Sequence, residues 1–287
     1  MFSRLLLGLL WLLHLLPLPA LRALGALIGR LLYTFGRARR HVALTNLRLC
    51  FPELSEAARA ALARRHFIAF GRAFLDRTLL WWAPRSRLER LIRLKGAEHL
   101  RDAGGRPTIL LAPHFVGLDA GGTMMTMAVP LVSVYSSQKN PVFNAVLLAG
   151  RLRFNAPILL SRQEGMRRAL KALKDGYPFY YLPDMDFGAR DAIFAPFFGV
   201  PAATITGLSR LARATGARIV PVITRMTADG YEVELRPPWE GYPGESVEAD
   251  TARMNAFIED EVRKMPEQYY WVHRRFKTRP QGEKKPY

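Results

Sequence analysis

A chain of 287 residues, 49% hydrophobic and 23% charged, holds enough apolar material for a sizeable core, which excludes a disordered, collagen-like or coiled-coil protein. Its single cysteine, Cys50, excludes an internal disulfide framework and a four-cysteine zinc site. A formal charge of +18 calls for a polyanionic partner: nucleic acid, anionic lipid or an acidic protein. The charge is uneven, with seven arginines and no Asp, Glu or Lys before Glu53, and arginine outnumbers lysine 34 to 8. Codon bias would produce that excess; so would recognition of phosphate, which the guanidinium fork grips better than an ammonium.

In chain order, residues 5–21 (LLLGLLWLLHLLPLPAL) carry no formal charge and are fenced by Arg4 and Arg22. As one helix they would extend about 25 Å, the short end of a membrane span. Pro17 and Pro19 would bend or end that helix, and a second apolar stretch, 23–35, is interrupted only by Arg30. Residues 1–36 are therefore expected to be a membrane anchor, a single transmembrane helix in preference to an in-plane or re-entrant one. Arg37, Arg39 and Arg40 then place the domain at 37–287 on the cytoplasmic side. Ser55 caps a predicted helix running to Trp82 and ended by Pro84. Beyond it, predicted strands at 108–112, 131–135, 179–182, 218–223 and 231–235 alternate with predicted helices at 118–127, 141–154, 164–174 and 204–214. A late amphipathic helix is expected at 247–264. The alternation specifies an α/β domain with a largely parallel sheet.

The chain contains no G-x-G-x-x-G, no G-x-x-x-x-G-K-[ST] and no H-E-x-x-H, and its nearest approach to a nucleophile elbow, Gly207-Leu-Ser209-Arg-Leu211, lacks the second glycine. What remains is ILLAPHFVGLD at 109–119. An apolar strand ends at Pro113, His114 stands at its carboxyl edge, and a helix begins near Gly117. Ligands of open α/β sheets bind at that edge. A carboxylate at Asp119, in the first helical turn, has the spacing to reach back and hold one imidazole nitrogen protonated, leaving the other as a general base worth ~10²–10⁴ in rate. A His/Asp pair five apart is also common without function. Asp184 and Asp186 form a D-x-D that in isolation fits a divalent metal holding a nucleotide-sugar diphosphate, or simple loop capping. The run HRRFK at 273–277, with Arg274 and Arg275 at its centre, fits nucleic acid or a solvated charged face, but on a membrane-attached protein a lipid phosphate is the more economical partner. His14, His41, His66 and His99 read as packing or surface residues.

His114-x4-Asp119 matches the H-x4-D signature of glycerolipid acyltransferases. From Tyr135 onward the chain resembles the lipid A biosynthesis acyltransferases, the lauroyl/myristoyl transferases. The segments that carry the likeness are Asn140-Pro141, GRLRFN at 150–155, YLPDMDFG at 181–188, FAPFFG at 194–199 and PEQYYWVHRRFKTRP at 266–280, the last far more selective than H-x4-D. Met185 departs from the pattern, in which a polar residue is frequent. The resemblance implies a glycerolipid-acyltransferase-like mixed, largely parallel sheet flanked by helices, preceded by a membrane-anchoring helix at the inner membrane. It implies an acyl thioester on acyl carrier protein as donor and a phosphorylated, Kdo-bearing lipid A precursor as acceptor, with membrane lipids as neighbours and neither nucleic acid, cofactor nor metal required. His114 would deprotonate a hydroxyl on an acceptor acyl chain, Asp119 would orient His114, and Arg151 would hold the developing oxyanion. Both Arg151 and Arg153 equally suit a helix carboxyl terminus, where a cation complements the dipole. Arg153, Arg274 and Arg275 are then expected to meet acceptor phosphate, and Asp184 and Asp186 to be structural or acceptor-binding. The alternatives are an acyltransferase acting on a lysophospholipid or ornithine lipid, a metal-dependent glycosyltransferase using Asp184 and Asp186, and a non-catalytic basic membrane-surface protein.

Overall fold

A computed structural model describes residues 2–101, 105–161 and 166–287. The amino terminus folds as two helices, α1 (Phe2–Leu13) and α2 (Leu18–Phe35), because Pro17 sits extended (φ −60°, ψ 147°) between them and Pro19 lies in the first turn of the second. The charge-free run 5–21 is therefore divided between two helices. Leu18–Phe35 is long and apolar enough to cross a membrane, yet five of its residues, Arg22 among them, are buried against the rest of the protein.

After α3 (Arg37–Cys50), Ser55 caps the 27-residue α4 (Glu56–Trp82), its hydroxyl accepting the Ala58 N–H at 3.2 Å. Ala83, forced out of the helical region by Pro84, ends it. α2 lies directly on α4 backbone to backbone: a Cβ on Gly29 would stand 2.2 Å from the Phe67 carbonyl oxygen, and one on Gly71 2.3 Å from that of Gly25. Arg22 rivets the pair to the domain. Its Nε donates to Asp76 of α4 (3.1 Å) and its guanidinium to the carbonyls of Ala228 (3.1 Å) and Gly230 (3.0 Å), while the Tyr231 hydroxyl donates to the same carboxylate at 2.7 Å.

The remaining elements are α5 (Arg85–Leu91), β1 (Ile92–Lys95), α6 (Glu98–Arg101), β2 (Thr108–Leu111), α7 (Leu118–Ala128), β3 (Val132–Tyr135), α8 (Pro141–Arg151), β4 (Ile158–Ser161), α9 (Met166–Lys174), β5 (Phe179–Tyr181), β6 (Ala192–Phe197), β7 (Val200–Ile205), α10 (Gly207–Thr215), β8 (Arg218–Met226), β9 (Tyr231–Leu235) and α11 (Val247–Lys264). Seven strands form one sheet in the order β1-β9-β8-β2-β5-β3-β4, with every pairing parallel except β8–β9. This is the mixed, largely parallel α/β sheet expected. β2, wholly buried, lies at its centre as an unbroken apolar run must. One face packs through Phe67, Phe179, Trp271 and Phe276 on α4, α9–α11 and the carboxyl-terminal segment, and the other through Leu21, Leu79, Met125 and Val233 on α1, α2, the later turns of α4, α5 and α7.

Several boundaries differ from expectation. β1 and β4 are additional strands, and the β6–β7 hairpin closes on a two-residue turn with both φ positive, Phe198 at 52° and Gly199 at 72°. β7 takes residues 204 and 205 from the helix expected there. The predicted start of a helix at 164 lies outside the described residues; from Met166 to Lys174 it is helical.

Candidate active site

The site is assembled by parallel strand pairing. β2 and β5 are neighbours with Leu111 opposite Tyr181. Three residues beyond each lie His114 and Asp184, delivered to the same level of the carboxyl edge. The His114 backbone N–H donates to Asp184 Oδ2 at 2.9 Å, and its Nδ1 lies 2.6 Å from Oδ1. Burial alone would raise the Asp184 pKa, but the His114 ring and both hydrogen bonds hold the carboxyl below its ordinary value. An ionised Asp184 fixes the proton on Nδ1 and leaves Nε2 as the free, basic nitrogen. His114 is only partly buried (side chain 16% exposed) and lines a cavity of about 1070 Å³.

Asp119 does not take the place expected of it. It stands in the first turn of α7, where Oδ2 accepts from Arg77 Nε of α4 (2.5 Å) and Oδ1 from Arg151 Nη2 at the end of α8 (3.1 Å). The physical reason is that the helix turn aims its carboxylate at two guanidiniums, which satisfy both oxygens. Burial opposes ionisation of Asp119, but the two arginines hold it well below the usual carboxylate range. The Arg77–Asp119–Arg151 cluster therefore carries one net positive charge on the wall of the same cavity, the sign a developing oxyanion needs.

The other expected residues go elsewhere. Arg153 donates to the carbonyls of Leu80 (2.6 Å) and Ala83 (2.5 Å), closing the carboxyl end of α4. Arg275 is buried, donating to the Ala203 carbonyl and Thr204 Oγ1 at 2.8 Å each and stacked over Phe197; it holds the carboxyl-terminal segment to β7. Arg274 lies on the surface over the Tyr287 ring, outside the cavity wall. The D-x-D divides its labour: Asp186 accepts from the Thr278 N–H (2.7 Å) and hydroxyl (2.9 Å), and its own N–H donates to His273 Nε2 (3.0 Å). With the Asp184 oxygens on His114 and the Asp186 oxygens on Thr278, neither carboxylate offers a free edge to a metal. Among the described residues no group of three His, Cys, Asp or Glu side chains is placed to share a cation.

Sequence reasoning missed Arg77, Phe74, Trp81 and Tyr270. All line the cavity, and the Tyr270 ring stands 6.5 Å from that of His114. Arg77, Phe74 and Trp81 lie on α4, whose helical pattern marks buried faces but not which neighbour each face meets. His273 was visible only as part of a basic run; burial pushes its pKa down to about 4, so it sits neutral behind His114 and accepts from the backbone. From the base the cavity extends past Leu80, Trp81, Leu131 and Leu147 on one side and Phe179, Leu170 and Leu211 on the other, walls that suit acyl chains.

A family model described as bacterial lipid A biosynthesis acyltransferase matches residues 2–278. The lipid A biosynthesis lauroyltransferase of Escherichia coli (strain K12) is 38% identical over 280 residues, 96% of this chain and 91% of that protein. The palmitoleoyltransferase of the same organism is 36% identical over 282 residues (96% and 91%), and its myristoyltransferase 32% over 278 (94% and 83%). A likeness running nearly end to end makes this protein an acyltransferase. More particularly, the chain belongs to the bacterial lipid A biosynthesis acyltransferase family.

Proposed function

We propose that the protein transfers a fatty acyl group from acyl carrier protein to a hydroxyl of an acyl chain on a Kdo-bearing lipid A precursor, at the cytoplasmic face of the inner membrane. The observation that carries the reading is the ionised, doubly hydrogen-bonded Asp184 behind a partly open His114 on an apolar cavity, in a chain of this family. His114 Nε2 takes the acceptor hydroxyl proton as the oxygen attacks the thioester carbon. The charge on the carbonyl oxygen is met by Arg151, with Arg77 beside it. As the intermediate collapses, the ester C–O bond is complete, the C–S bond breaks, and the thiolate receives the proton from the imidazolium. Asp184 stabilises that imidazolium, and Asp119 positions the two arginines. Protein groups and the two substrates supply every proton and electron pair, so the scheme calls for no cofactor.

The charge of +18 suits both an acidic carrier protein and a phosphorylated acceptor. Residues 1–36 serve as the membrane attachment of the acyltransferase domain at 37–287. Leu5, Leu9 and Leu12 of α1 and Leu27, Leu31 and Phe35 of α2 are exposed, and Arg22 ties α2 to the domain, an arrangement suited to lying in the interface. The test is an acyl-transfer assay in detergent micelles with an acyl carrier protein thioester, the tetra-acylated Kdo-bearing precursor and EDTA. Product from wild type and none above background from His114→Ala is expected. Equal product from both would overturn the assignment of the base, and none from either across a range of chain lengths would overturn the acceptor.

A further inference from the structure

A second cavity, of about 760 Å³, lies on the opposite side of α4 from the catalytic one, between α2, α4 and the turn that joins β8 to β9. Arg65 and Arg72, two helical turns apart on one face of α4, line it together with Pro19 and Ala23 of α2, Ala228 of the turn, and Glu267. Arg22, also in the wall, is saturated by Asp76 and three backbone carbonyls. Arg65 and Arg72 are different: neither makes a hydrogen bond or a close ion pair with any described residue, Asp76 one turn on attracts Arg72 only from beyond ion-pair distance, and Arg72 Nε is buried without a partner. Glu267, though in the same wall, lies beyond ion-pair distance of both among the described residues. A buried guanidinium N–H left without an acceptor is costly, so the pocket is a built place for an anion supplied from outside.

The neighbouring surface says which anion. The outward side of α2, whose amino-terminal turns form part of this pocket, exposes Leu27, Leu31, Leu32 and Phe35, and Arg30 of the same helix is exposed as well. With apolar side chains of this kind sunk about 5–10 Å into a bilayer, the pocket at the amino-terminal end of the same helix would face the headgroup layer, where the lipid phosphates lie. Guanidinium groups match phosphate oxygens in geometry as well as charge. We infer that the pocket between α2, α4 and the β8–β9 turn binds the phosphate of an anionic phospholipid headgroup through Arg65 and Arg72, seating the enzyme on the membrane beside its catalytic cleft. This rests on the membrane attachment proposed above.

The test is flotation of the full chain with vesicles that contain no glycolipid acceptor, either phosphatidylcholine alone or phosphatidylcholine with phosphatidylglycerol. Wild type is expected on both and to gain affinity with phosphatidylglycerol. R65A/R72A is expected to lose about fivefold per arginine of that gain, while keeping its binding to neutral vesicles and wild-type turnover in micelles. R90A/K174A, which removes two exposed charges elsewhere, should keep the gain. R65A alone, at an exposed position, carries the test if the double variant melts early. Anionic binding by R65A/R72A equal to wild type, or an equal loss in R90A/K174A, would overturn the pocket. A wild type indifferent to phosphatidylglycerol would overturn the pocket alone; one that floats with neither vesicle would overturn the membrane attachment with it. Restoration of tight binding to R65A/R72A only by added glycolipid acceptor would assign the pocket to the acceptor's phosphate and overturn the phospholipid assignment.

Discussion

Asp184→Asn separates the contact made across the sheet from the five-residue spacing between His114 and Asp119. The carboxylate is buried, accepts two N–H groups from one residue, and faces the ring that becomes cationic during turnover. Two unit charges about 4 Å apart in an environment of effective dielectric near 20 interact by about 4 kcal/mol. Removing one of them while keeping the shape should therefore raise the barrier by that order, about a thousandfold in kcat. An amide also offers one acceptor oxygen where the carboxylate offered two, so one His114 N–H is left facing an NH2. The imidazolium becomes harder to form, which moves the acid limb of the kcat/KM profile to lower pH even as the plateau falls. Asp119→Asn, which loosens Arg77 and Arg151 instead, should reduce kcat and leave that limb in place. The assay is thioester-dependent acyl transfer from pH 5 to 9 for both variants and wild type. Asp184→Asn within tenfold of wild type, or a limb that moves for Asp119→Asn and not for Asp184→Asn, would refute the assignment.

Arg22→Leu strands Asp76 without its ion pair at a buried position, and a loss of about 3–5 kcal/mol in unfolding free energy is expected; adding Asp76→Leu should recover part of it in a double-mutant cycle. His66 is fully buried, and burial lowers its pKa to about 4 from an ordinary 6.5, with the Glu267 carbonyl partly opposing. The unfolded chain therefore binds the proton first as pH falls: His66's contribution is complete above pH 6.5 and lost progressively down to pH 4, about 3 kcal/mol in all. Melting curves at the two ends of that window should diverge less in His66→Gln than in wild type. A Cβ on Gly150 would stand 2.3 Å from Trp81 Cδ1, so Gly150→Ala must displace an indole that lines the catalytic cavity. The ranking of thioester chain lengths should change with it, read by competition between donors, while an unchanged ranking would place the acyl chain on the other side of His114.

What the sequence determined by itself is local. Ser55 and Pro84 bracket α4 because a cap and a proline act within a turn of where they stand. The apolar run at β2 reads as a buried strand, and His114 falls at its end, because both facts are written in consecutive residues. β1, an edge strand with two charged residues among four, β4, an edge strand with one of its four residues buried, and the proline-bearing β6–β7 hairpin give too mixed a pattern to be seen alone. The choice between Asp119 and Asp184 as the partner of His114 lay outside the sequence altogether. Spacing along the chain favours the carboxylate five residues away, whereas the sheet places β5 beside β2 and so brings up one seventy residues away. The same holds for Arg275, a phosphate ligand by composition and a buried strut by position, and for Arg22, a fence post in the sequence and a rivet in the fold. Which strands adjoin, and which face of α4 meets which cavity, is decided by packing between distant segments, and that energy exists only once the whole chain is folded.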